Sequence, residues 1–377
     1  MHDAALGIAM EPGRFVEDYD PDDCVDQQYY NGYADLTVHR LMLMDVSRMS
    51  FYREAITQGE GMRGKIVVDV GSGTGILTMW ASRAGAKHVF SIEASSLSSV
   101  QAQVIADNGM SSKVTVLEDT VERIIARGVE DFVSRYREVL SGSGVSVLLS
   151  EWMGFYLLHE GMLPSLIRAR DFFAEVNVAL GVSQVIEMIP AHAAIYVAPI
   201  TCKPYHAQHY QTFWRDVDGF DFSRYGQMEF LSRLEQASPL IECLPATCIL
   251  HESVPLAELD LNVVREENIV SLRRAVHFNF RSSAVFRHHI ANAGEKSRVA
   301  VDGFTVWFDV ASRGLVLSTS PYAAPTHWKQ TTILLPLEVR SAESVAFSVD
   351  DEELSVDMHI CASDDTLRSY TLELELM

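Results

Sequence analysis

Glu151 and Glu160 stand nine positions apart in an otherwise apolar stretch, Ser150-Glu151-Trp152-Met153-Gly154-Phe155-Tyr156-Leu157-Leu158-His159-Glu160-Gly161-Met162-Leu163. One helical face does not bring positions nine apart together, but a hairpin loop does. Two buried carboxylates with no partner raise each other's pKa and are costly to keep. A cation between them removes that cost, and a guanidinium fits because its planar fork matches carboxylates bidentately. The plain alternative is a pair of solvated loop acids.

A second constellation is Val67-Val68-Asp69-Val70-Gly71-Ser72-Gly73-Thr74-Gly75. Its three glycines let the backbone approach a ligand at the carboxyl edge of a strand. The spacing is G-x-G-x-G, unlike the G-x-G-x-x-G of dinucleotide folds. Glu93 ends the next predicted strand, where a carboxylate can take both hydroxyls of a ribose. Asp119-Thr120-Val121-Glu122 follows the third strand and is placed to meet an adenine edge. Together these residues point to a nucleoside cofactor.

Such side chains need elements to hold them. The pattern is helical from Gln27 to Gly59, and then strands and helices alternate. Lys65–Val70, His88–Glu93, Lys113–Leu117 and Val145–Ser150 read as strands. Gly75–Ala84, Ser96–Asn108 and Val121–Leu140 read as helices. That alternation predicts a doubly wound parallel sheet of the α/β class. After Pro190 the texture becomes β-rich, with strands expected at His192–Pro199, Ala275–Arg281, Phe304–Val310, Thr331–Leu335 and Leu367–Leu376. The expected division is an acidic arm over 1–26, a cofactor-binding domain over 27–189 and a β-rich domain over 190–377. Seven aromatics fall within Tyr205–Tyr225, which reads either as a projecting arm with a sticky surface or as ordinary core.

Lys and Arg total 30 against 51 Asp and Glu, a net charge of −21. Residues 1–25 carry seven acids and one Arg, and residues 341–377 carry ten acids and one Arg. Such a chain is a poor non-specific binder of nucleic acid and attracts cations. No apolar run reaches the ~18–20 residues of a membrane-spanning helix. The first residues lack the basic segment of a secretory signal, and the five cysteines are irregularly spaced, as expected of reduced thiols. Cytoplasm or nucleus is the expected location. His206-x-x-His209 and His288-His289 have no further ligand at metal spacing, so no metal is expected.

The glycine turn with its two acids resembles class I S-adenosylmethionine-dependent methyltransferases. Nearly the whole chain, from about Tyr29, resembles the protein arginine N-methyltransferases. The residues that carry this are the Ser-Glu-Trp-Met-Gly loop with its second Glu, Thr326-His327-Trp328, and Tyr29-Tyr30-Asn31-Gly32-Tyr33 followed by His39, Met42, Asp45, Arg48 and Tyr52. The aromatic segment, about 201–228, sits where that family has a helical dimerisation arm. The resemblance therefore implies a class I methyltransferase domain with N-terminal helices, followed by a β-barrel-like domain carrying the arm, and a homodimer formed through it.

It also implies roles. Tyr30 and Tyr33 would close over the cofactor. Asp69, Gly71 and Gly73 would line its methionine and ribose part, Glu93 would hold the ribose diol with His39 nearby, and Val121 and Glu122 would meet adenine. Arg48 would pair with the cofactor carboxylate and position Glu151. Met42, Met162 and Trp328 would shape the substrate pocket, the two methionines matching members that make asymmetric dimethylarginine. Basic Arg/Gly-rich or histone-like proteins would be substrates, and S-adenosylhomocysteine the product. For the departing proton the residues leave two acceptors open, Glu160 and a His327–Asp45 pair. His327 as a purely structural histidine is also open. Competing functions are a monomethyl-only enzyme, a weakly active scaffold for another methyltransferase, and a small-molecule N-methyltransferase, against which the missing Asn/Asp-Pro-Pro-aromatic motif counts.

Overall fold

Ile66–Val70 forms β1, buried along its entire length. Strands buried on both faces belong in the middle of a parallel sheet covered by helices. Here the partners are β2 (His88–Glu93), β3 (Val114–Glu118), β4 (Val145–Leu149) and β5 (Glu187–Ile189), in the order β3-β2-β1-β4-β5, every pair parallel. The chain runs outward from β1 to β3 and then returns to the other side of β1 at β4. That reversal opens a crevice at the carboxyl ends of β1 and β4. A computed structural model describes Gly32, residues 35–234, 239–293, 298–336, 339, 345–348, 350–351, 353–363 and 369–377. The acidic stretch 1–26, Tyr30 and Tyr33 lie outside the described residues.

Among the described residues, α1 (Leu36–Met44) and α2 (Val46–Thr57) precede the sheet. The helical pattern is thus divided at Asp45, which takes an extended conformation (φ −70°, ψ 101°) and accepts the Arg48 amide as the N-cap of α2. Next come α3 (Ile76–Arg83) and α4 (Leu97–Asp107). The expected single helix over 121–140 is three: α5 (Val121–Arg127), α6 (Val129–Arg135) and α7 (Arg137–Leu140). Gly128, at φ 85° and ψ 163°, ends the first and starts the second. α8 (Leu163–Ala179) follows the double-acid loop.

Beyond the cis Ile189–Pro190 bond the pairing is antiparallel among the described strands. β6 (His192–Ile200) and β11 (Gly303–Ser312) form the longest ladder, from His192 opposite Ala311 to Ile200 opposite Gly303. β7 (Leu240–Glu242), β8 (Val254–Asp260), β12 (Leu315–Ser318) and β13 (Gln330–Leu334) complete that sheet. β9 (Ser271–Phe278), β15 (Leu354–Ala362) and β16 (Tyr370–Leu376) form a second, and β10 (Val299–Ala300) with β14 (Ala346–Phe347) a third. Together they make the barrel-like unit. The aromatic segment is helical: Lys203–His206, a π turn at Ala207–Gln211, Thr212–Trp214 and Ser223–Leu234. It serves as both core and surface. Tyr205 and Tyr210 pack inward, while Phe213, Phe220, Tyr225 and Met228 are exposed.

Arg313, in the β11–β12 turn, ties the two halves together. Its Nε and Nη2 donate to the two oxygens of Glu187 at 2.6 and 2.7 Å, and Nη1 donates to the Ala55 carbonyl at 2.7 Å. Burial raises the Glu187 pKa, but the Arg313 fork and Lys65 outweigh it and hold the carboxyl below its ordinary value. Arg313→Ala should lower stability by about 2–3 kcal/mol, since several charge-assisted bonds go and Glu187 keeps only Lys65. Urea unfolding checks this, and an unchanged midpoint would contradict it.

Candidate active site

The turn after β1 is built on three left-handed glycines, Gly71, Gly73 and Gly75, with φ of 68°, 55° and 80°. Side chains press on it closely. A Cβ on Gly71 would stand 2.8 Å from Met162 Cε, and one on Gly73 would stand 2.9 Å from His39 Cε1. The left-handed conformation favours glycine there, and any side chain would also have to displace the ends of Met162 and His39. Glu93 follows directly: its Oε2 accepts the Gly73 amide at 2.6 Å and its Oε1 accepts the Ser95 amide at 2.8 Å. The turn, Glu93, Asp119, Val121 and Glu122 line a cleft of about 260 Å³. Glu122 accepts the Ser165 hydroxyl at 2.5 Å.

The same cleft is also lined by Met42, Arg48, Glu151, Phe155, Glu160, Met162, His327 and Trp328. Arg48, on α2, forks onto a single oxygen of Glu151, with Nε and Nη2 at 3.1 and 2.9 Å from Oε2. Its Nη1 donates to the Met42 carbonyl. The backbone around Glu151 is fixed from both sides: Tyr52 donates its hydroxyl proton to the Ser150 carbonyl at 3.0 Å, and Trp328 Nε1 donates to the Met153 carbonyl at 2.7 Å.

The loop itself is a hairpin. Gly154 and Leu157 exchange amide-to-carbonyl bonds at 3.1 Å in both directions. Tyr156, Leu157 and Glu160 all have positive φ, at 42°, 79° and 82°. Non-glycine residues hold such conformations only when their surroundings dictate them. Here Tyr156 donates its hydroxyl proton to the Tyr370 carbonyl at 2.6 Å, so β16 anchors the hairpin. Burial of Tyr156 pushes its phenol up to about 12, which keeps it a donor.

His327 reaches the cleft from the loop between β12 and β13. Asp45 Oδ2 accepts both its amide, at 2.8 Å, and its Nδ1 proton, at 2.7 Å. Burial pushes the Asp45 carboxyl up, but the His327 side chain and the Arg48 and His327 amides outweigh it, so the pKa lies below the ordinary 3.8. Asp45 is therefore ionised near neutrality. It lies behind the imidazole, outside the cleft lining, and leaves Nε2 as the basic nitrogen.

The arginine methyltransferase oligomerization subdomain matches residues 191–376. Protein arginine N-methyltransferase 6 of Xenopus tropicalis is 31% identical over 345 residues, 90% of this chain and 88% of that one. The chain belongs to the protein arginine N-methyltransferase family. The crystal structure of PRMT6 superposes with a TM-score of 0.87 at 64% identity, covering 91% of this chain and 100% of that one. That of PRMT6-SAH gives 0.88 at 63%, with the same coverage. The enzyme is an S-adenosylmethionine-dependent methyltransferase that acts on protein arginine.

Its own residues fit that cofactor. The glycine turn brings bare backbone to the cleft, and an acceptor-only carboxylate at Glu93 suits a ribose diol. One expectation is corrected. Asp69 does not line the cleft of the methyltransferase; it is fully buried behind the turn, its Oδ2 lying 2.7 Å from the Thr78 hydroxyl oxygen. Its carboxyl packs against Thr78 on α3, while Gly71 already belongs to the left-handed turn whose backbone faces the cleft. Sequence reasoning also missed Gln101 on α4. Its Nε2 donates to Ser72 Oγ and to the Gly73 carbonyl, both at 2.8 Å. The available signal was polar Thr78 and Gln101 on helix faces that also bury Leu77, Ala81, Leu97 and Ile105.

The Asp45 pair carries a pH consequence for the arginine methyltransferase. A carboxyl whose folded pKa is depressed adds stability above its unfolded value of about 3.8, and loses it as pH falls through the folded value. Asp45→Asn should therefore cost stability at neutral pH and flatten the loss of melting temperature below pH ~4. Parallel melting curves for the two proteins across that range would contradict this.

Proposed function

We propose that this enzyme makes monomethyl- and asymmetric dimethylarginine on Arg/Gly-rich or histone-like segments, with Glu151 and Glu160 holding the substrate guanidinium. The observation that carries the reading is the one-sided Arg48 fork. Both of its bonds fall on Glu151 Oε2, leaving Oε1 to accept a substrate N–H inside the cleft that Glu160 also lines.

S-adenosylmethionine, when bound, supplies an electrophilic methyl group on a positively charged sulfur. An arginine side chain is a poor nucleophile because its charge is spread over three nitrogens. Glu151 and Glu160 draw that charge onto the nitrogens they bind and leave lone-pair density on the third. Holding that nitrogen in line can contribute ~7–11 kcal/mol. His327 Nε2 takes the departing proton, and Asp45 stabilises the imidazolium that results. Trp328 and Phe155 exclude water, and Tyr52 and Trp328 keep the Glu151 backbone from drifting.

Met42 and Met162 stand in the cleft wall, where unbranched thioether side chains can adjust around a nitrogen that already bears one methyl group. Separation of hydrolysed peptide products tests the product type. Asymmetric dimethylarginine is expected; symmetric dimethylarginine, or monomethylarginine alone at full conversion, would contradict it. The net charge of −21 favours encounter with basic segments, an attraction that added salt weakens.

The exposed apolar side chains Phe213, Phe220, Tyr225 and Met228 support a homodimer formed through the segment about 201–228. Sedimentation should show a dimer, and a fully active monomer would contradict the arm's role.

A further inference from the structure

Behind the glycine turn runs a continuous line of polar contacts, from β1 through α3 and β2 to α4. Thr78 Oγ1 lies 2.7 Å from Asp69 Oδ2 and 2.9 Å from Ser91 Oγ. Ser91 Oγ lies 2.9 Å from Gln101 Oε1, and Gln101 Nε2 grips Ser72 Oγ and the Gly73 carbonyl. Asp69, Thr78, Ser91 and Gln101 are all buried, and each contact along the line is direct.

Counting protons along it decides the state of Asp69. The Gly73 carbonyl only accepts, so Gln101 must turn its amide nitrogen toward the turn and its oxygen toward Ser91. That oxygen also only accepts, so Ser91 gives it its one proton. Thr78 must then donate to Ser91, and the contact between Thr78 and Asp69 is left to be filled by a proton on Asp69. Were Asp69 a carboxylate, Thr78 would donate to it. The three contacts from Asp69 to Gln101 would then share two protons, and one pair of buried oxygens would meet with none. Asp69 Oδ1 is likewise buried outside hydrogen-bond reach of any described group, which is costly for a charged oxygen.

We propose that Asp69 works as a carboxylic acid, donating its proton to Thr78 and so setting, through Ser91, the Gln101 amide that holds the glycine turn of the cofactor site. Asp69 is a positioning residue here, because it is buried and does not line the cleft. Its surroundings agree. Burial is the largest influence and moves its carboxyl up to about 7, opposed by the Thr78 hydroxyl and amide. Among charged neighbours Glu93 raises it further and Arg48 lowers it, and the Tyr52 phenol packs against the same pocket. Because the folded pKa is raised, the proton is held below that value and lost as pH rises through it, taking one relay bond with it.

The inference rests on the S-adenosylmethionine reading of the cleft, which S-adenosylhomocysteine binding by the wild type checks separately. Asp69→Asn tests the relay, because the amide nitrogen of asparagine donates as a neutral acid does but never titrates. Dissociation constants for S-adenosylhomocysteine would be measured at pH about 6 and about 8.5, where the wild type should weaken about three- to tenfold, the worth of one hydrogen bond. Asp69→Asn should stay within about threefold of the wild type's acid value and show no such change. Difference infrared spectra at the lower pH should show a protonated carboxyl band that Asp69→Asn removes. Gln101→Leu is the second variant, expected to weaken binding about tenfold and to abolish the same pH dependence. A carboxylate band instead of the acid band, an Asp69→Asn protein that fails to fold or binds far more weakly, or equal pH profiles in wild type and Gln101→Leu would each overturn the proposal.

Discussion

Glu151→Gln should lower kcat by about 10²–10³-fold while leaving the fold intact, the scale seen when one preorganised electrostatic contact is lost. Glutamine keeps the side-chain shape and an oxygen for the Arg48 fork, but it turns an NH2 toward the substrate N–H that Oε1 would accept, so the charge and that hydrogen bond are lost together. The negative charge is what would concentrate the substrate's positive charge away from the attacking nitrogen. KM should change less than kcat, because charge localisation matters most as the new bond forms. Arg48, buried beside it, would lose its counter-charge, and a stability loss of about 1–3 kcal/mol should accompany the change. Steady-state kinetics on an arginine peptide check the prediction. A kcat within about tenfold of wild type would remove Glu151 from the reaction.

Gly154→Ala should be the most damaging single-methyl change at the site. A Cβ there would stand 1.8 Å from the His159 carbonyl oxygen and 3.2 Å from Glu160 Cγ. Neither neighbour can yield cheaply. The His159 carbonyl belongs to backbone, and Glu160 already holds a left-handed conformation at φ 82°. The hairpin must open, and with it the spacing of the two acids. We expect activity to fall by more than about 10²-fold, since small misplacements of reacting groups have effects of that size. Cofactor binding should fall much less, because the glycine turn lies on a different strand's end. A Gly154→Ala protein with near-normal kcat would show that the hairpin geometry does not set the reaction.

The glycine turn and the two acids were legible in the sequence because their residue types carry the chemistry themselves. The parallel sheet was legible because apolar strands alternate with helical stretches. Asp69 was misread for a physical reason: position along a strand tells that a residue is near a turn, not which way its side chain faces. The fixed conformations at Tyr156 and Glu160 come from β16 and from packing, contacts some 200 residues away in the chain for Tyr370. The breaks at Asp45 and Gly128 depended on single residues that a periodic reading passes over. The aromatic arm divided into an inward face around Tyr205 and Tyr210 and an outward face around Phe213 and Phe220, a division that composition alone does not contain.

The most direct test of the account is methyl transfer from S-adenosylmethionine to an Arg/Gly-rich peptide, run beside the same peptide with every arginine replaced by lysine and read by mass spectrometry. The paired acids, matched to a planar guanidinium, predict methylated arginine in the first peptide and no methylation in the second. Transfer to lysine, or no transfer to arginine by protein that binds the cofactor, would contradict the claim that Glu151 and Glu160 form a guanidinium site.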